Sequence, residues 1–285
     1  MGRRGGVGRR CGGDAVVTID LGPPSAGGGE SVASDERAVS ETVGFVLVFA
    51  LITTTIAVVF TVGLGGLDDA QIAERDANVE RAFDVLHDNL RDVSRDGVPS
   101  RATEIRLAGG ELALAERTTI RITDADGNAT FTERTRPIVY RGSGDTEIVY
   151  ENGAVFRTSG DVALPLNDPD LIVDGEPGER TVVYSLVRTT GQPRVVSGDR
   201  TTLVVGSAVG REVVEPDRSA GENVTLEIDS PRADGWERYY ERVADTHDGV
   251  RLDPDGDGDV TVVFELDADD EFLIHQTTVG VEFSD

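Results

Sequence analysis

Four alternating aspartates form the densest carboxylate cluster of the chain: Asp253, Asp255, Asp257 and Asp259. Alternate aspartates in a glycine-containing loop can direct their oxygens at one Ca²⁺ ion. Numbered as an EF-hand loop from Asp253, position 6 is glycine as required, but position 12 is Phe264, where a bidentate glutamate belongs. No helical pattern flanks the segment. The cluster is therefore a candidate calcium site, although the spacing favours a solvated hairpin turn.

The other residues that could support catalysis do not form a recognisable motif. His87, His247 and His275 are far apart in the sequence, so no HExxH zinc motif exists. The chain also lacks a GxSxG nucleophile elbow and a phosphate-binding GxxxxGK[ST] loop. We therefore expect no enzymatic activity and no cofactor other than the candidate calcium ion, although a fold can assemble a site that a sequence hides.

The charge balance restricts the partners of the protein. The net charge is −26, from 53 Asp and Glu against 27 basic residues, and every basic residue is arginine. Nucleic acid is an unsuitable partner, because phosphate binding needs a basic face. At 1 M salt the screening length falls to about 3 Å, which removes most of the self-repulsion. This acidic, lysine-free composition resembles that of proteins from extremely halophilic archaea.

An uncharged segment near the N-terminus predicts a membrane anchor. The stretch from Thr42 to Leu67 has no charged residue and is mostly apolar. A helix needs about 20 such residues to cross a bilayer, so this segment is long enough to span it with some tilt. One span followed by more than two hundred polar residues predicts a single-pass protein with the lipid bilayer as a partner. The one cysteine, Cys11, precedes the span and leaves no disulfide for the rest of the chain.

The pattern along the chain predicts four regions. Residues 1–35 are Gly- and Arg-rich and are expected to be a disordered tail or leader, or the product of a start codon assigned too far upstream. Residues 36–66 contain a processing motif and the transmembrane helix, and residues 67–97 form an amphipathic stalk helix. Residues 100–285 form a β-rich acidic extracellular domain. The stalk carries an apolar stripe that packs either on the chain's own domain or on neighbouring copies: Val79, Phe83, Leu86, Leu90 and Val93.

The region after Pro99 alternates with period two, which is typical of strands. The predicted strands are Glu104 to Leu107, Thr118 to Thr123, Ile138 to Tyr140, Glu147 to Tyr150, Ala154 to Thr158, Thr181 to Val187, Thr201 to Val205, Val224 to Ile228, Asp259 to Leu266 and Glu271 to Glu282. Asn152-Gly153 indicates a type I′ hairpin. A helical pattern from Asp234 to Val243 is either a helix that plugs one end of the β domain or an aromatic docking patch. The fold class is α+β, with a β-sandwich or a pair of small β units.

A basic and small pair, Arg37-Ala38, stands directly before the apolar segment and is followed by Val39. This N-terminal region resembles that of archaeal type IV pilins and archaellin-like proteins, particularly haloarchaeal pilin-like membrane proteins. The resemblance implies that a prepilin peptidase cuts between Ala38 and Val39, and that other pilin-like subunits are partners. The leader of 38 residues is long for the family, and Glu41 stands where many haloarchaeal pilins have proline. An uncleaved signal anchor and an ordinary signal peptide are the alternatives.

The N-terminus is expected in the cytoplasm and the β-rich domain outside the cell membrane. Two glycosylation sequons, at Asn128 and Asn223, agree with this orientation, whereas the arginines flanking the span give no clear bias. The sequence therefore predicts a pilin-like structural subunit or minor pilin of a haloarchaeal envelope. The alternative is a non-polymerising, membrane-anchored binding or adhesion module.

Overall fold

The fold combines a long helix with a strand-rich region, as seen in a computed structural model that describes residues 33–124, 129–142, 144–216, 219, 221–256 and 259–284. The two helices are α1 (Ala33–Ser94) and α2 (Ala233–Thr246). The first eight strands are β1 (Ser100–Arg106), β2 (Glu111–Leu114), β3 (Thr118–Thr123), β4 (Ala129–Thr135), β5 (Ile138–Arg141), β6 (Thr146–Glu151), β7 (Ala154–Ser159) and β8 (Val162–Asn167). The others are β9 (Leu171–Asp174), β10 (Thr181–Thr190), β11 (Val195–Ser197), β12 (Thr201–Val214), β13 (Val224–Asp229), β14 (Val250–Leu252), β15 (Val260–Phe264) and β16 (Glu271–Ser284).

The chain divides into two compact units, and the division falls between Val62 and Gly63. In the first unit, α1 carries the apolar segment. In the second unit, α1 continues through Gly63, Gly65 and Gly66 and precedes all of the strands. These glycines do not interrupt the helix.

The apolar stripe of α1 lies in the core of the second unit. All five of its side chains are at most 2% exposed, and they pack with apolar residues from β1, β2, β5, β6, β10, β12 and β16. The end of the helix is fixed as well, because Arg211 Nη2 donates to Val93 O at 2.5 Å and Thr277 Oγ1 donates to Ser94 O at 3.2 Å. These bonds satisfy carbonyls that a helix C-terminus leaves without intrahelical partners. The stripe therefore packs on the chain's own domain.

The strands form three sheets. Sheet A has the order β1-β12-β16-β10-β9, sheet B the order β11-β2-β5-β6-β7-β8, and sheet C the order β14-β15-β13-β3-β4. Neighbouring strands are antiparallel except for β10 and β16, which are parallel from Thr181 paired with Glu271 to Thr190 paired with Gly280. The expected strand-rich α+β fold is confirmed, with three sheets where the strand spacing suggested a sandwich or two small units.

Sheet A separates two hydrophobic clusters. Val279 and Val281 of β16 belong to the first cluster, with the α1 stripe and sheet B. Phe272 and Ile274 of the same strand belong to the second, with α2 and sheet C. Odd and even residues of a strand point to opposite faces, so β16 contributes to one cluster from each face. The strand β10 does the same, with Val187 in the first cluster and Val182, Tyr184 and Leu186 in the second.

The predicted hairpin at Asn152-Gly153 is present between β6 and β7. Asn152 has φ of 47° and Gly153 has φ of 81°, as a type I′ turn requires. The Asn152 side chain is fully buried, donates from Nδ2 to the Tyr184 hydroxyl at 2.7 Å and accepts from Val187 N at 2.9 Å. The turn therefore also attaches sheet B to β10.

The helix α2 is held by a buried ion pair between Glu151 and Arg232. Glu151 is fully buried and accepts hydrogen bonds from Arg232 Nε at 2.7 Å, Ser230 Oγ at 2.7 Å and Trp236 Nε1 at 2.8 Å, while Arg232 Nη2 donates to Thr118 Oγ1 at 3.2 Å. One carboxylate thus connects β6 to the start of α2. The aromatic residues of α2 face the second cluster, so the helix plugs this core and presents no aromatic docking patch.

Nine of the ten predicted strands agree with the structure to within a few residues at their ends. The tenth, β12, was predicted to end at Val205 but extends to Val214. Six strands were not predicted: β2, β4, β8, β9, β11 and β14. The segment expected as a strand from Asp259 to Leu266 is shorter, at Val260–Phe264.

We predict that Glu151→Ala lowers the free energy of unfolding by about 3–5 kcal/mol, because it leaves the Arg232 charge buried without a partner. Urea unfolding of the full chain in non-ionic detergent measures the change. The matched control is Glu147→Ala, which removes a half-exposed carboxylate paired with Arg141 at 2.6 Å and should cost less than about 1 kcal/mol. Equal losses for the two variants would contradict the role assigned to Glu151.

We also predict that every tyrosine of the folded domain ionises at a higher pH than its ordinary pKa of about 10 would give. Burial is the largest cause that raises the pKa of every tyrosine in the chain: Tyr140, Tyr150, Tyr184, Tyr239 and Tyr240. The stability that these tyrosines contribute should therefore be fully present below the ordinary pKa of about 10. It should fall as the pH rises above that value, because unfolding then releases phenolic protons. Phenolate absorbance should rise in one step together with the loss of circular dichroism. Phenolate formation before unfolding would contradict this expectation.

Candidate functional site

The apolar segment of α1 has no cover within its own unit. Every residue from Thr42 to Gly63 is exposed, and this part of α1 gives the one helix among the described residues that is long and apolar enough to cross a membrane. Exposed apolar patches on soluble monomers rarely exceed a few hundred Å². The surface therefore needs lipid or protein around it, which is compatible with a single-pass anchor.

Threonines within this segment are adapted to an apolar surrounding. Thr53, Thr55 and Thr61 each donate a hydroxyl hydrogen bond of 2.8 Å to the backbone carbonyl four residues earlier. A hydroxyl that is satisfied by its own helix costs less in hydrocarbon than one left without a partner. These three hydroxyls thus do not argue against an apolar environment.

The predicted processing residues lie near the start of α1. Arg37, Ala38 and Val39 belong to the helix Ala33–Ser94, and the structure describes only their backbone. Cleavage between Ala38 and Val39 stays a prediction.

The predicted calcium ligands lie between β14 and β15. Asp253 Oδ1 accepts from Asp255 N at 3.2 Å, and Asp259 Oδ2 accepts from Ser230 N at 2.9 Å, so these carboxylates have local structural partners. Asp257 lies outside the described residues. Among the residues that the structure describes, no three His, Cys, Asp or Glu side chains are grouped as metal ligands. Calcium binding stays a prediction.

The two sequons have different positions. Asn128 lies outside the described residues, whereas Asn223 is half-buried directly before β13. Glycosylation at either position stays a prediction.

A cleft lined by arginines is a feature that the sequence analysis did not identify. It encloses about 450 Å³ where β4, the loop before β3 and the end of β10 meet. Its charged lining residues are Arg117, Arg134, Arg136, Arg188 and Glu133. Four arginines against one glutamate reverse the charge balance of a chain with 53 acidic and 27 basic residues.

Contacts within the cleft neutralise its one carboxylate. Glu133 Oε2 lies 2.9 Å from Arg188 Nε, and Glu133 Oε1 accepts from Gln276 Nε2 at 3.4 Å. Arg136 Nη1 donates to Ala115 O at 3.1 Å. In the part of the chain that is described, the guanidinium groups of Arg117 and Arg134 form no ion pair or hydrogen bond, and both residues are exposed. They remain available to an anion.

Two buried threonines fix the walls of the cleft. Thr135 Oγ1 and Thr189 Oγ1 are 2.8 Å apart, Thr189 N donates to Thr135 Oγ1 at 3.0 Å, and Thr189 Oγ1 donates to Arg136 O at 2.6 Å. These bonds join β4 of sheet C to β10 of sheet A. They position residues that lie more than fifty positions apart in the sequence.

A second, less polar groove shares Thr190 and Gly191 with the cleft. It encloses about 720 Å³, and its lining includes Leu114, Val209, Val281 and Phe283. Gly191 is required at the junction, because a Cβ there would lie 2.6 Å from Val281 O and 2.7 Å from Leu114 Cδ1. The cleft and the groove therefore adjoin at Gly191, where no larger residue fits.

Comparison with known proteins defines the family. Residues 37–282 match the family of unknown function DUF7289, and the chain belongs to this family. A segment of 78 residues is 32% identical to an uncharacterised protein of Archaeoglobus fulgidus. This segment makes up 27% of this chain and 26% of the relative. The chain thus matches about a quarter of that relative's length. No solved structure matches the chain.

We predict that Thr189→Val lowers the free energy of unfolding by about 1–3 kcal/mol, because Arg136 O and the Thr135 hydroxyl lose a buried partner. Chemical unfolding measures the loss. Thr132→Val on the exposed side of β4 is the control and should change stability by less than about 0.5 kcal/mol. A Thr189 variant as stable as the control would rule out the threonine contact as the tie between the two sheets.

Proposed function

We propose that the chain is a single-pass, membrane-anchored cell-surface protein, and that it acts as a pilin-like subunit of a haloarchaeal envelope. The observation that carries this proposal is the exposed apolar surface of α1 from Thr42 to Val62, which has no cover in its own unit. Lipid can cover this apolar surface, and so can the apolar helices of other subunits.

Three further observations support the proposal. The stripe from Val79 to Val93 packs on the chain's own sheets, so the later part of α1 is already occupied, whereas the earlier part has an unused apolar surface. Gly44, Ala50 and Ala57 are small residues that let helices approach closely within a membrane. The family match begins at Arg37, the first residue of the proposed processing motif.

In this proposal the N-terminus faces the cytoplasm and the strand-rich domain lies outside. A prepilin peptidase cuts after Ala38, and Val39 becomes the first residue of the mature subunit. Glu41 then lies close to the new α-amino group of a neighbouring subunit and can pair with it.

The test is the mass and the N-terminal sequence of the protein extracted from membranes of a host that contains a prepilin peptidase. We expect a chain that begins at Val39. Ala38→Leu should leave the full-length chain uncut, because it replaces the small residue of the motif, whereas Ala33→Leu outside the motif should be processed normally.

A wild-type chain that begins at Met1 would favour a plain signal anchor, and one that begins after Gly66 would contradict anchoring altogether. If the mature chain begins at Val39, its presence in sheared surface filaments supports a polymerising subunit. Its absence there identifies the non-polymerising surface module.

A further inference from the structure

Most arginines of the cleft have no carboxylate partner among the described residues. Elsewhere in the second unit, many partly exposed arginines pair with carboxylates at N–O distances of 2.6–3.2 Å. In the cleft, Glu133 is paired with Arg188 at 2.9 Å, whereas Arg117, Arg134 and Arg136 form no ion pair with a described residue. The cleft therefore presents free cationic charge in a chain whose acidic residues outnumber the basic ones by 53 to 27.

The pairing of β3 with β4 brings two of these charges together. Thr118 pairs with Thr135, so Arg117 directly before the first and Arg136 directly after the second leave the two strands side by side. Like charges opposite each other on neighbouring strands destabilise a sheet. An anion bound in the cleft would offset this repulsion.

The rest of the cleft is also polar. Among the described residues that line it, none has an apolar side chain, and those without charge are Thr132, Thr189, Thr190 and Gly191. The guanidinium groups donate hydrogen bonds, the Glu133 carboxylate accepts them, and a threonine hydroxyl can do both. A ligand suits this lining if it carries negative charge together with groups that both donate and accept.

The adjoining groove mixes polar and apolar side chains. Its lining includes Gln192, Arg194, Ser207 and Glu282 beside Leu114, Pro193, Val209, Val281 and Phe283. A sugar ring has hydroxyl groups at its edge and C–H groups on its faces, so it suits such a mixture. Glu133 and Glu282 can each accept a hydrogen bond from a sugar hydroxyl, whereas the ionised side chains of an acidic peptide only accept. The lining therefore favours a saccharide over an acidic peptide.

We propose that the cleft and the groove together bind an acidic polysaccharide. An oxyanion on one sugar ring, a carboxylate or a sulfate, pairs with the guanidinium forks of Arg117 and Arg134, and the following rings lie along the groove against Gln192 and Val209. The volumes of about 450 and 720 Å³ lie within the range of about 300–1,000 Å³ that is typical of ligand sites. This inference goes beyond the proposed function, because the site lies wholly within the second unit and its test depends neither on processing nor on polymerisation.

The test uses the full chain in non-ionic detergent and an octagalacturonate that carries a fluorescent label at its reducing end. At 1 M salt the screening length is about 3 Å, so long-range repulsion from the acidic chain is largely removed. Fluorescence anisotropy should show saturable binding. The methyl ester of the same octamer has the same rings without the charge, and it should bind about tenfold more weakly or worse.

The arginines are tested by removing their charge. Arg117→Gln with Arg134→Gln should weaken binding of the octagalacturonate about tenfold or more, because two charge-assisted contacts are lost. The matched control, Arg75→Gln with Arg81→Gln, changes two exposed arginines of α1 and should leave the affinity within about twofold. Circular dichroism of each variant verifies that the domain is folded.

The groove is tested with ligands of different length. Unlabelled galacturonate monomer should displace the labelled octamer only at concentrations about tenfold or more above those of unlabelled octamer, since it can occupy the cleft alone. Gln192→Ala should weaken the octamer and leave the monomer unchanged, whereas Gln71→Ala, at an exposed position of α1, should alter neither. A sulfated dextran octamer measured in parallel identifies the preferred oxyanion as the one on the saccharide that binds more tightly.

Several results would overturn the proposal. They are a lack of saturable binding by both acidic octamers, equal binding of the methyl ester, and equal weakening by the two arginine double variants. Displacement by the monomer as effectively as by the octamer would reduce the site to one for small acids. An octapeptide of aspartate that binds as tightly as the acidic octamers would show that the site recognises negative charge without the sugar.

Discussion

The parallel pairing of β10 with β16 is the constraint on which the domain depends, because each of these strands supplies side chains to both hydrophobic clusters, to one from each face. One face contacts the α1 stripe and sheet B, and the other contacts sheet C and α2. The two strands are in register over ten paired residues. A one-residue slip would exchange the two sets of side chains between the clusters, so packing on both sides fixes the register.

Polar contacts are placed where they join the layers around this pair of strands. Asn152 attaches the β6–β7 hairpin to β10, Glu151 attaches the same hairpin to α2, and Thr135 with Thr189 attaches β4 to β10. All of these groups are buried and form several hydrogen bonds each. Buried polar groups that are fully satisfied favour one arrangement over other compact ones. These contacts therefore favour one arrangement of the three sheets in a domain that has no disulfides.

Periodicity predicted the elements that carry long, regular burial patterns, and it could not predict those that do not. The α1 stripe and strands such as Thr118–Thr123 follow the expected spacing because their buried residues recur on one face. The strand β8 is interrupted by Pro165 and its alternating apolar residues, Val162, Leu164 and Leu166, are exposed. The strand β4 carries the polar run Thr132 to Thr135. The arginine cleft was equally invisible, since its residues come from three distant segments that only the contact between sheets C and A brings together.

The position of the one tryptophan has a practical consequence for observing this molecule. Trp236 is fully buried in the second cluster, where its ring centroid lies 5.1 Å from Phe156 and 6.2 Å from Tyr240. The first cluster, around the α1 stripe, contains no tryptophan. Indole fluorescence is thus a local optical reporter of the layer between sheet A and α2. Compared with a far-ultraviolet signal from the whole backbone, it would show whether the two layers on either side of sheet A separate together or one after the other.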